Sequence, residues 1–218
     1  MQIDENRNLV LPAVAERVTK KVKDKETGKD KDIHEDVVRA YAFHTPISRA
    51  VFDANYRLLA ATKSAMASKG AHYLMSAGPR IASLTLRDEG LRDAEARGHV
   101  DDDGRPKDDE VRAFFAELRR LTTILCPTDG GWEYLPVDTA ISSGKIDAED
   151  WEEVEAAIVF FSCHVAMARK VDRNRIGMAT ASLLNASTTS SALTEYLGSL
   201  PTLTPAELSK ETPSSIPS

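Results

Sequence analysis

Residues 147–169 read DAEDWEEVEAAIVFFSCHVAMAR, and this stretch decides the fold. Trp151, Val154, Ile158, Phe161 and Val165 recur at spacings of three and four, which makes a continuous apolar stripe on an α-helix. Ala157, Val159, Phe160, Cys163 and Met167 are apolar on the other sides. A helix that is apolar nearly all round has to be covered on several sides. It is either the central helix of a bundle or a helix that lends one face to a partner. Its first turns hold Glu149, Asp150, Glu152, Glu153 and Glu155, while Arg169, Lys170, Arg173 and Arg175 follow its end, as the helix dipole favours.

Moving toward the N-terminus, helical signals fill residues 45–125. Thr45 followed by Pro46 fits a helix start, and Gly70 a stop. Pro79 begins a second helical pattern that is interrupted at Gly90 and finished by Gly98. Over residues 110–125, Val111, Phe114, Phe115, Leu118, Leu121 and Leu125 share one helical face, with Pro127 closing the helix. The following PTDGGWEYLP reads as turn and loop, and a further helix is expected around residues 175–186.

Residues 9–44 differ. Leu9-Val10-Leu11 is an apolar run stopped by Pro12, and residues 17–22 and 36–43 are rich in β-branched and aromatic side chains. Two strand-like runs around the charged loop KDKETGKDKD predict a β-hairpin. At the other end, residues 199–218 are rich in Pro, Ser and Thr and cannot bury enough apolar surface to offset their ordering entropy. The expected architecture is therefore mainly α (α+β). It comprises an N-terminal β-hairpin region over residues 1–44, a helical bundle over 45–198 and a disordered tail over 199–218, with a short helix at 192–197 before the tail.

Composition narrows the function classes. With 218 residues, 42% hydrophobic and 28% charged, the chain is ordinary globular material. A net charge of −6 and only 6% aromatic residues argue against a nucleic-acid partner. The N-terminus lacks an apolar signal segment, and the apolar run at 156–168 is too short to span a bilayer, so no membrane partner is expected.

Motifs for chemistry are missing or damaged. Aligned on Gly104, HVDDDGRPKDDE at residues 99–110 places Asp101, Asp103 and Glu110 at calcium-loop positions, but His99 stands where the first carboxylate belongs. The loop reads as a solvated acidic turn. Cys163 and His164 are adjacent, so on a helix they point about 100° apart and do not form a nucleophile–base pair. No Gly-rich phosphate loop, nucleophile elbow or paired metal-ligand motif occurs. The expectation is a non-enzymatic protein with no cofactor and no metal.

Residues 151–201 resemble the C-terminal half of tail assembly chaperones from long-tailed (siphophage-type) bacteriophages. The resemblance rests on EEVEAAIVFFSCHVAMAR, a second short helix and TTSSALTEYLGSLPTLT leading into a proline- and serine-rich tail. An N-terminal β-hairpin before a helical body, as in residues 9–70, is similar too. The resemblance implies a protein of the host cytoplasm, absent from the mature virion. It would bind and solubilise the tape-measure protein during tail morphogenesis, and tail tube protein would later displace it. The candidate partner-binding residues are Val159, Phe160, Cys163 and Met167, the side of the long helix opposite the Trp151–Val165 stripe; failing these, the surface is sought over residues 50–66. The competing reading is a structural or regulatory helical protein that self-associates as a homo-oligomer through residues 151–167.

Overall fold

The computed structural model describes residues 7–23, 30–70 and 77–201. The chain begins with two long strands, β1 (Asn8–Lys23) and β2 (Asp30–His44), paired antiparallel from Leu9↔His44 out to Lys23↔Asp30. The expected hairpin is present, but Pro12 does not stop its first strand. The ladder is irregular between Pro12 and Ala15, then resumes in the register it had before. Proline has no N–H for a ladder and is tolerated where pairing is already interrupted.

Helices α1 (Arg49–Ala54), α2 (Tyr56–Ser68), α3 (Ile81–Ala96) and α4 (Asp109–Arg120) follow. Ser48, rather than Thr45, caps the first, its hydroxyl accepting the Val51 N–H. Gly90 does not interrupt α3. It is buried inside it, where a Cβ would stand 2.1 Å from Val111 Cγ2. The missing side chain lets α3 and α4 approach closely.

Then comes β3 (Thr122–Thr128), which turns through Asp129-Gly130 into β4 (Gly131–Pro136). The order β4-β3-β2-β1-β5 makes a five-stranded antiparallel sheet, completed by β5 (Ser187–Thr189). This corrects the expected helical bundle with a small hairpin: the molecule is a mixed α/β fold organised on one sheet. The helix expected to run to Leu125 ends at Arg120, Leu125 pairing with Tyr41 and Tyr134 as a strand residue, and the expected loop PTDGGWEYLP supplies the end of β3 and all of β4. Pro127 sits inside β3, past the end of its pairing with β2, so only β4 lies beside it.

The sheet buries both faces near its base. Leu9, Leu11, Ala42, Ile124 and Cys126 belong to the main core under the helices. Val10, Phe43 and Leu125 form a second core on the opposite face. This second face is covered by α8 (Leu193–Ser199), which brings Leu193, Tyr196 and Leu197 onto it. Trp132 Nε1 donates to the Pro201 carbonyl at 2.9 Å, which ties residue 201 to β4. The helix expected at 192–197 is therefore structural; of the disordered tail expected over 199–218, residues 199–201 are instead placed, with Ser199 ending α8 and Leu200 against the second core, while 202–218 lie outside the described residues, as do loop residues 24–29.

The long helix, α6 (Ala148–Val165), follows the short α5 (Val137–Ser142) and precedes α7 (Arg173–Leu183). Its start is a reciprocal cap: Asp147 accepts the Asp150 N–H at 2.8 Å, and Asp150 accepts the Asp147 N–H at 2.9 Å. Helices α2, α3, α4 and α7 and strand β1 surround it. Trp151, Val154, Ile158 and Phe161 are buried, and so are Ala157, Val159, Phe160 and Cys163. Each fully buried Val, Ile or Phe contributes about 1.5–3 kcal/mol. This helix is the axis of the core.

Candidate functional site

The placement of α6 settles where the sequence-predicted surface residues lie. Val159 and Cys163 are fully buried, Phe160 is buried at 7% exposure, and Met167 is partly buried against the main core. The chain's own elements cover Val159, Phe160 and Cys163, which are interior rather than an open face, whereas Met167 stays partly exposed beyond the end of α6. Burial pushes the Cys163 thiol up to about 12. His164 stacks on Phe160 with ring centroids 4.4 Å apart, and its Nδ1 lies 2.8 Å from the Phe160 carbonyl, which accepts its N–H. Burial holds this imidazole below its ordinary value, so thiol and imidazole are both neutral packing groups. Of the alternative stretch, residues 50–66, Phe52, Leu58, Leu59 and Met66 are buried. Tyr56 is its large exposed apolar residue.

The acidic loop is closed on itself. Asp101 Oδ1 accepts the Asp103 and Arg105 N–H groups at 3.0 and 2.8 Å. Glu110 is gripped by both terminal nitrogens of Arg97 at 2.9 and 2.7 Å, and this pair holds its carboxyl below the usual range. Among the described residues, no group of three or more His, Cys, Asp or Glu converges as a metal site would require.

A different surface brings chemistry together, where α3, α4 and α6 meet. Glu155, one turn after Trp151 on α6, is buried yet ionisable. Its Oε1 accepts from Trp151 Nε1 at 3.2 Å, and its Oε2 accepts from Arg87 Nη2 on α3 at 3.1 Å. Burial raises its carboxyl, and the Arg87 guanidinium works against that rise. Arg87 in turn lies over the Phe115 ring of α4, 4.5 Å from its centroid, and Arg119 lies over Trp151 at 5.2 Å. Cations on aromatic faces thus seal the helix junction.

Two open grooves flank that junction, and both include Arg87 and Glu155 in their walls. One, between α3 and α6, has a volume of about 610 Å³ and is lined by Leu84, Arg80 and the α6 carboxylates Glu149, Glu152 and Glu153. The other, between α3 and α4, has about 500 Å³ and is lined by Leu91, Val111, Phe115 and Ala116, with Arg112 and Arg119 at its rim. Leu84 is 61% exposed and Leu91 37%. They stand seven residues apart, two helical turns or about 10.5 Å along one face of α3. Sequence reasoning missed this pair because it broke the helix at Gly90. The Leu-x6-Leu spacing across an unbroken helix was the available signal. The junction can hold an amphipathic segment: apolar contacts from α3 and α4, with charges of both signs at the edges.

A search of protein-family models, curated proteins and solved structures found no match to this chain.

Proposed function

We propose that the protein is a tail assembly chaperone of a long-tailed bacteriophage, a non-catalytic protein that binds helical segments of the tape-measure protein and keeps them soluble until the tube forms. The observation that carries this reading is the exposed Leu84–Leu91 row on α3, set beside the Phe115 groove. Two apolar residues two turns apart, next to an open groove that joins Leu91, Phe115 and Ala116 to charged residues of both signs, suit the i, i+7 face of an amphipathic helix. A tape-measure protein is a long helix whose apolar stripes have no partner before assembly, and covering them lowers the exposed area that drives aggregation. Many such contacts along one client would be individually modest and collectively strong, so tube subunits can displace them one at a time. The candidate surface moves accordingly from Val159, Phe160, Cys163 and Met167 to Leu84, Leu91 and Phe115.

Co-expression tests the proposal. The tape-measure partner is expected to be soluble with this protein and insoluble without it. The double variant Leu84→Asp, Leu91→Asp is expected to fold normally, because both side chains are exposed, and to lose the rescue. If the partner is equally soluble in its absence, or no complex forms at micromolar concentrations, the chaperone reading fails.

A further inference from the structure

The last turn of α6 carries one hydroxyl inside the otherwise apolar run of the helix. Ser162 is 4% exposed. A serine or threonine inside a helix can return its hydroxyl to the carbonyl four residues back, as Thr62 does to Leu58 at 2.7 Å. Ser162 does not, and its hydroxyl has no hydrogen-bond partner among the described residues. It lines a recess of about 100 Å³ where α1, the end of α6 and the start of α7 meet. Ile47, Phe52, Phe161 and Val165 give that recess apolar walls.

Two arginines, Arg49 and Arg173, also line the recess, and they differ in charge balance. Arg49 is neutralised: its guanidinium pairs with Asp53 at 2.8 Å and lies over the Phe52 ring, 5.0 Å from the centroid. Arg173 donates from Nε to the Ala168 carbonyl at 3.3 Å, and no carboxylate pairs with it among the described residues. The adjacent Asp172 is already engaged by Arg169 and Arg175, at 2.7 and 3.4 Å. The recess therefore combines one uncompensated cation, one unpaired hydroxyl and apolar walls.

We infer that the recess is a binding site for a short-chain aliphatic monocarboxylate. With Nε held by the Ala168 carbonyl, the terminal nitrogens of Arg173 remain to donate to the carboxylate, and the guanidinium fork suits that group. The Ser162 hydroxyl supplies a further donor, and the alkyl tail lies on Phe52, Phe161 and Val165. An apolar cavity of about 150 Å³ takes up benzene, so this smaller recess suits a branched chain of a few carbons rather than a ring. A phosphate ester, carrying close to two charges at neutral pH, calls for more than one free cation. The inference is independent of the client reading, since Leu84, Leu91 and Phe115 do not line the recess.

Isovalerate tests it, with isovaleramide as the uncharged probe of the same shape. In amide NMR titrations of the full chain, isovalerate is expected to shift the signals of Ile47, Ser162, Val165 and Arg173 saturably in the millimolar range. Isovaleramide should bind about tenfold more weakly, because it offers no charge to Arg173. Arg173→Gln should weaken isovalerate by about the same factor and leave isovaleramide unchanged, and Arg173→Lys should recover part of the loss. Ser162→Ala, expected to weaken isovalerate a few-fold, gives a second measurement if the Arg173 variants do not fold. The inference is overturned by the absence of saturable shifts in the millimolar range or by equal binding of acid and amide. Undiminished binding to folded Arg173→Gln protein, or displacement of isovalerate by an equal concentration of inorganic phosphate, would overturn it too.

Discussion

The Arg87 guanidinium donates to the Glu155 carboxylate across 3.1 Å, and the two ends of this ion pair lie in different media: the Glu155 side chain is 7% exposed, that of Arg87 54%. The asymmetry makes the two truncations unequal. Removing the arginine strands a buried carboxylate, whereas removing the carboxylate frees a largely hydrated cation. Arg87→Ala is expected to cost about 1–3 kcal/mol, below the figure for a wholly buried pair because Arg87 is half in water. Glu155→Gln, which keeps an acceptor for Trp151, is expected to cost less than about 1 kcal/mol. Denaturant melts of both variants at about pH 7 check the order; if the glutamine variant loses more, the burial argument is wrong.

His44 predicts an acid limit on stability. It is fully buried between β1 and β3; the Thr122 hydroxyl donates to the Leu118 carbonyl at 2.8 Å, so His44 Nδ1 donates to Thr122 Oγ1 at 2.9 Å and Nε2 carries the bare lone pair. Nε2 has no hydrogen-bond partner, and burial lowers the imidazole from 6.5 to about 3. The folded state keeps His44 neutral while the unfolded state takes up a proton below 6.5. Stability is therefore complete above that value and falls as the pH drops toward 3, by about 1.4 kcal/mol per pH unit for this group. Burial pushes His164 the same way. His44→Leu is expected to flatten the slope between about pH 6 and pH 4 by roughly that amount. An unchanged slope in urea titrations would show that other groups govern it.

Gly90→Ala is expected to destabilise although alanine is the better helix former. Its Cβ would meet Val111 Cγ2 at 2.1 Å and Leu58 Cδ1 at 3.3 Å, inside a packed helix–helix contact. Overpacking of this kind costs about 1–3 kcal/mol, more than the roughly 1 kcal/mol gained in helix propensity. Val111→Ala should relieve the clash, so the double variant is expected to be more stable than the two single losses added together. Additive losses in thermal melts would place the strain elsewhere.

Val159→Asp and Phe160→Asp are expected to abolish folding. Both sites are buried on the central helix, where an unpaired carboxylate has no solvent and no partner. Phe161→Ala, at a site only 2% exposed, should cost about 3–5 kcal/mol. Circular dichroism and expression yield separate these variants from the Leu84 and Leu91 pair, whose substitution should leave the spectrum unchanged. A folded, soluble Val159→Asp protein would reopen this side of the helix as a surface.

What residues 147–169 determine by themselves is a helix with too much apolar circumference for one neighbour. The acidic start and the three-and-four spacing are local properties, and both appear on the helix the spacing predicts, with Asp147 capping it. The hairpin at 9–44 was equally readable, because β-branched runs around a polar loop carry their own period. Which side of the long helix is interior could not be read, since burial depends on how many elements arrive around it. Strand β1 and helices α2, α3, α4 and α7 together cover its apolar sides and leave open only the acidic edge of Glu149, Glu152 and Glu153. The sheet was missed for a related reason. Leu118, Leu121 and Leu125 keep a helical spacing up to the point where β2 and β4 take Leu125 into a ladder, and pairing between distant segments overrides local period. Helix α3 runs through Gly90 because α4 needs the room, a demand made by a residue twenty-one positions later. The Leu84–Leu91 row and the Arg87–Glu155 junction are consequences of that assembly. Local sequence chose the elements; long-range packing chose which of their faces remained open.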